Sequence, residues 1–130
     1  MALLTGLLRT TIYLTEFDMA YYEFRQNNSG GDFEVDDKVT IHVWVEANNA
    51  DEANAKAEEI GIYFDGVDSK TDCSCCGDRW DKVTEIDAER FPRIVSYGSH
   101  WVGDGETHTI IYRADGTVGK IPKEVIQINE

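Results

Sequence analysis

From residue 39 to residue 47 the chain alternates without a break: Val39, Ile41, Val43, Val45 and Ala47 fall on one side, Thr40, His42, Trp44 and Glu46 on the other. A period of two marks a β-strand with one buried face, so the valine side is expected to line a core. A shorter strand is expected over residues 21–26. The run Asn27, Asn28, Ser29, Gly30, Gly31 after it tolerates positive φ, so the chain should reverse there. Past residue 47 the period becomes helical. Asn49 with Glu52 three residues on forms a capping-box variant, and Ala50, Ala53, Ala57 and Ile60 recur on one face, which predicts a helix over residues 50–60 stopped by Gly61. Three methyl-sized side chains let such a helix lie close to a sheet.

Ile62, Tyr63 and Phe64 then read as a strand ended by a turn at Asp65 and Gly66, giving a central β-β-α-β unit. Beyond Trp80 the pattern weakens. Residues 85–90 are charged without an apolar face, Pro92 bars a helix, residues 93–97 read as extended within an irregular connection, and residues 98–105 as a polar loop. Residues 107–113 and 117–121 flank Ala114, Asp115 and Gly116, a strong hairpin signal, and residues 124–128 suggest a last short strand. The expected fold is α+β: a mainly antiparallel sheet, one helix packed on it through its alanines, and a C-terminal β-hairpin.

A chain of 130 residues fits one domain, and 42% hydrophobic content supplies enough apolar material to offset the entropy of ordering it. Met19 and Ala20 open the patterned part, so residues 19–130 read as a single α+β domain. Residues 1–18 read either as an upstream extension or, through residues 11–17, as an extra edge strand. The apolar stretch over residues 1–8 is too short for a signal core or a membrane span.

Twelve Lys plus Arg against twenty-five Asp plus Glu leave a net charge of −13. Such a surface disfavours contact with nucleic-acid phosphates or an anionic membrane; it either complements a protein with a basic surface or merely confers solubility. Residues 1–18 contain one Arg, one Glu and one Asp. The acidity therefore belongs to the body of the protein.

All three cysteines, Cys73, Cys75 and Cys76, fall within four positions, unlike a disulfide framework closing large loops; the pattern points to a reducing compartment. Cys73 to Gly77 contains CxxCG, in which two thiolates can address one zinc ion from a tight turn. A closed site needs four ligands, and the candidates to complete it are Cys75, Asp72, His100 and His108; His42 sits mid-strand. Two other readings stand beside this one, thiols that merely pack the turn and a redox thiol, the latter opposed by Asp72 and Asp78, whose charges disfavour a thiolate, with only Arg79 against them.

Asp65, Asp68 and Asp72 lack the ligand spacing of a calcium loop and read as a solvated acidic loop, as do Asp32, Glu34, Asp36 and Asp37. His42 and Trp44 share a strand face that is a partner surface, an amphipathic outer face, or a face covered by the N-terminal segment. Arg79 and Trp80, directly after the cysteines, either present a cation and an aromatic ring to a partner or anchor the turn in the core. Ser99–His100 and Thr107–His108 place hydroxyl and imidazole on opposite sides of an extended chain, and no nucleophile elbow, phosphate loop or dinucleotide fingerprint occurs, so no enzymatic activity is expected.

Three segments, Met19 to Gly31 (MAYYEFRQNNSGG), Glu59 to Gly66 (EIGIYFDG) and Asp72 to Trp80 (DCSCCGDRW), resemble a family of short uncharacterised proteins of tailed bacteriophages. The resemblance covers residues 19–80, and members of that family begin at the position of Met19. Many carry proline at the position of Ser74, which would stiffen the cysteine turn. The resemblance implies a phage origin and the host cytoplasm, and no activity. The expected function is that of a non-enzymatic acidic accessory protein acting through contacts with a host or phage protein, with a zinc-stabilised binding module built on the cysteine turn as the alternative.

Overall fold

The computed structural model describes residues 19–95 and 99–124. The expected edge strand over 11–17 therefore lies outside the described residues, as do all but the first residue of the expected strand over 124–128 and part of the extended stretch over 93–97.

Strand β1 (Ala20–Arg25) pairs antiparallel with β2 (His42–Ala47), in a register that sets Tyr22 opposite Val45 and Phe24 opposite Val43. These four side chains form one face and are almost fully buried. Between the strands the chain turns back through Ser29–Gly31. The Gln26 amide stitches this turn to the sheet, donating to the carbonyls of Glu34 and Thr40 and accepting from the Glu34 amide.

Helix α1 (Ala50–Glu59) packs on that face with Ala50, Ala53 and Ala57 buried. Its start follows from local chemistry: the Asn49 side chain accepts from the Glu52 amide at 2.8 Å, and the Glu52 carboxylate reaches back to the Asn48 amide rather than to Asn49. Its end is a Schellman closure, in which the Gly61 amide donates to Glu58 and the Ile62 amide to Ala57. Gly61 sits at φ 103°, a left-handed backbone that a side chain would strain. Ile62 consequently drops into the core.

Residues 62–64 join no ladder, contrary to the strand expected there. The strand that follows α1 in the sheet is β3 (Thr107–Tyr112), which runs parallel to β2 and takes the place that the expected β-β-α-β unit gave to residues 62–64. A parallel pair requires a long crossover, and here that crossover carries both α1 and an excursion over residues 60–106. The β3 strand returns through Asp115 and Gly116 into β4 (Val118–Pro122), the expected hairpin. The described sheet has order β1-β2-β3-β4, with only the β2/β3 pair parallel. No described helix is long and apolar enough to cross a membrane.

The second face of β2 is neither a partner surface nor an open outer face. His42 is 2% exposed and Trp44 0%, as deeply buried as the valines. His42 Nδ1 lies 2.8 Å from a Glu23 carboxylate oxygen and its ring stacks on that of His108 at 4.9 Å. Period-two alternation identifies the two faces of a strand but not whether the polar one is covered; here it is.

Candidate functional site

The cysteine turn occupies the excursion between α1 and β3. The amides of Cys76 and Gly77 both donate to the Cys73 carbonyl, and Gly77 closes the turn at φ 88°. This winding brings the three sulfurs together. Those of Cys75 and Cys76 are 3.6 Å apart, those of Cys73 and Cys75 stand at disulfide distance, and all three lie within 4.8 Å of one another. Each of the three residues is exposed.

The turn is held from beneath by residues remote in sequence. The Asn27 side-chain amide donates to the carbonyls of Cys76 (2.8 Å) and Asp78 (3.1 Å), and its backbone amide to the Arg79 carbonyl. Ser29 Oγ accepts from the Cys73 amide, and the Asp78 carboxylate accepts from the Val67 amide. Asp72, just before the cysteines, is buried. Its carboxylate accepts from the Arg79 amide at 2.8 Å and from the Tyr63 hydroxyl at 2.6 Å. Burial, and then that bond to the carboxylate, push the Tyr63 phenol above its ordinary pKa. Gly66 passes so close under Asp72 that a Cβ there would meet the carboxylate oxygen at 1.9 Å.

The guanidinium of Arg79 is the centre of this mount. Nη1 donates to Gln26 Oε1 and to the Asp32 carbonyl, both at 2.9 Å, and Nη2 to the Ser29 carbonyl at 2.7 Å. Its carboxylate neighbours are Glu34 at 3.5 Å, Asp32 at 3.7 Å and Asp72 at 3.9 Å. A charge taken from water is tolerable only with partners of this number and sign. One cation thus ties the turn after β1 to the turn of cysteines, and the cysteine backbone inherits the rigidity of the sheet.

Several expectations change accordingly. Arg79 is 8% exposed and Trp80 1%, so neither is offered to a partner; Trp80 lies in the core beside Val83, and Arg79 serves the mount. His42 and Trp44, also read as partner-facing, are interior. Asp72 is not part of a solvated loop but the buried counter-charge of the site, and Asp32 and Glu34 lean on Arg79 from the solvent side. Neither histidine joins the sulfurs. His108 is fully buried, its Nδ1 2.8 Å from Thr109 Oγ1, while exposed His100 rests against Trp101. Among the described residues, the three cysteines are the one cluster of three or more candidate ligands, and the Asp72 carboxylate is engaged by the Arg79 amide and the Tyr63 hydroxyl. The clustering of the cysteines argued against large disulfide loops, yet two neighbours separated by a single residue are still within bonding reach.

Residues 19–129 match the family model of a domain of unknown function, DUF7296. The chain belongs to the DUF7296 family. No curated protein and no solved structure matches it. The matched stretch of the DUF7296 domain contains all three segments singled out by their sequence, and they are the segments that meet here. Gln26, Asn27 and Ser29 come from the first, Tyr63 and Gly66 from the second, Asp72 and Arg79 from the third. The supporting residues Gln26, Asn27, Tyr63 and Gly66 were not recognisable as part of a site. The available signal was the Asp72/Arg79 pair bracketing the cysteines, opposite charges placed to close a loop.

Proposed function

We propose that this DUF7296 domain is a small non-enzymatic binding module whose working part is the cysteine turn, a seat for a soft divalent metal ion of the zinc class. The observation that carries the reading is the convergence of three exposed sulfurs within 4.8 Å on a turn fixed from below. Two thiolates sharing a tetrahedral zinc, with Zn–S near 2.3 Å, stand about 3.8 Å apart, and the 3.6 Å between Cys75 and Cys76 already suits that edge. Cys73 would join them once its sulfur moves away from that of Cys75. Thiolate softness favours zinc over magnesium or calcium. Three protein sulfurs leave the fourth position of the ion to an outside ligand, and a side chain of a bound partner protein is the ligand this reading assigns there.

The net charge of −13 supports a partner with a basic surface, drawn in by electrostatic steering. The resemblance of the three segments to proteins of tailed phages supports a place in the host cytoplasm, where reduced thiols are available to metal. The test is elemental analysis of untagged full-length protein, reduced and dialysed against zinc. About one equivalent of tightly held metal is expected, lost when Cys73 and Cys76 are both replaced by Ser, because a two-thiolate deletion leaves too few ligands. Reduced protein that retains no zinc refutes the reading.

A further inference from the structure

We infer that the cysteine turn is a redox-gated seat, in which Cys73 and Cys75 either share a metal ion with Cys76 or bond to each other and release it. The inference rests on the metal reading above and adds its regulation. Three observations carry it. First, the Cα atoms of Cys73 and Cys75, 5.4 Å apart, lie within the range that disulfides span. Second, the alternative bond between Cys75 and Cys76 is disfavoured by geometry: adjacent Cα atoms are about 3.8 Å apart, below the roughly 4.4 Å at which that range begins. Third, the bonds that fix the turn attach to the backbone of Cys73 and Cys76 and to Asp72, Asp78 and Arg79. None engages a sulfur. The thiols can therefore change chemical state while the mount stays intact.

The step balances with a low-molecular-weight disulfide such as oxidised glutathione as the oxidant. One of the two thiolates attacks a glutathione sulfur and expels a glutathione thiolate; the other attacks the resulting mixed disulfide and expels the second. The Cys73–Cys75 bond forms as the glutathione bond breaks, two electrons pass to glutathione, and the departing thiolates take protons from water. The metal, left with Cys76 alone, departs as the hydrated ion, and Cys76 takes up a proton. A single-residue bridge closes a very small loop, so the oxidised form gains little stability from it. Exposure of all three residues leaves them open to the oxidant and to reversal by a thiol.

The test uses full-length protein, reduced and loaded with zinc, then exposed to rising oxidised glutathione. Zinc release is followed with a chromogenic chelator. Alkylation before and after reduction is mapped on tryptic peptide 71–79, which holds all three cysteines. The expected result is zinc release in step with protection of Cys73 and Cys75, Cys76 remaining open to alkylation, urea unfolding that stays cooperative with a midpoint lowered only to that of reduced zinc-free protein, and recovery of both thiols and zinc binding on reduction. Cys76→Ser should form the same internal bond. Zinc held while the thiols oxidise, protection of a pair that includes Cys76, or glutathione adducts without an internal bond each overturn the gate and leave the metal reading standing. A reduced protein that forms the Cys73–Cys75 bond but never binds zinc overturns the metal reading, and the gate with it.

Discussion

Replacing Arg79 by Ala should be among the most damaging single changes in this domain. The substitution removes three charge-assisted hydrogen bonds of 2.7 to 2.9 Å. It also leaves the Asp72 carboxylate, whose side chain is 2% exposed, without its buried counter-charge. Deleting one partner of a buried charged pair costs about 3–5 kcal/mol, most of it the cost of stranding the other. The Asp32 and Glu34 carboxylates are 83% and 51% exposed, and such solvent-side partners are worth below about 1 kcal/mol each. We therefore expect a loss of about 4 kcal/mol for Arg79→Ala, against a total of about 5–15 kcal/mol for a domain of this size. Arg79→Lys keeps the charge but not the fork that reaches three acceptors, and should lose about 2 kcal/mol. Glu34→Ala should be near neutral. Urea unfolding followed by tryptophan fluorescence measures all three, since Trp44 and Trp80 are buried. A loss below about 1 kcal/mol for Arg79→Ala, or an equal loss for Glu34→Ala, would refute the account of Arg79 as the buried tie between the two turns.

Two further changes probe the same network and the core. Gly66→Ala drives a methyl group onto a carboxylate held by both Arg79 and Tyr63, and should cost about 3 kcal/mol, whereas Gly61→Ala, with open space around its Cβ and only a positive φ to strain it, should cost about 1 kcal/mol; the reverse order in thermal melts would show that Asp72 is free to move. Burial first, and then its hydrogen bond to Glu85, push the Tyr22 hydroxyl up to about 12 from an ordinary value of 10.0. The folded state thus holds that proton more tightly than the unfolded chain. The stabilisation is complete below pH 10 and is lost as pH rises toward 12, by about 1.4 kcal/mol per unit. Tyr22→Phe should flatten this part of the stability profile, and an unchanged slope in urea titrations at pH 10 and above would contradict the assignment.

The elements that were legible in the sequence are those specified within a few residues. Asn49 and Glu52 set the helix start, Gly61 its end, and Ala114, Asp115 and Gly116 the hairpin, because capping and turn bonds join near neighbours. The alternation along β2 likewise announced a strand. Residues 62–64 looked equally strand-like, yet a strand exists only where a neighbouring backbone is free to pair, and position beside β2 went to β3, more than forty residues later. The cysteines were visible as a candidate centre, and their spacing already implied a turn. What the sequence alone determined, then, was the elements bounded by their own caps and turns, the acidity, and the clustering of the thiols. Tertiary structure alone decided that the polar face of β2 is covered, that both histidines once considered as ligands stand apart from the sulfurs, and that Arg79 turns inward. A buried charge is settled by the sum of its partners, and those of Arg79 come from residues 26–34 and 72. Desolvation makes its placement depend on all of them at once, so no window of sequence contains the answer.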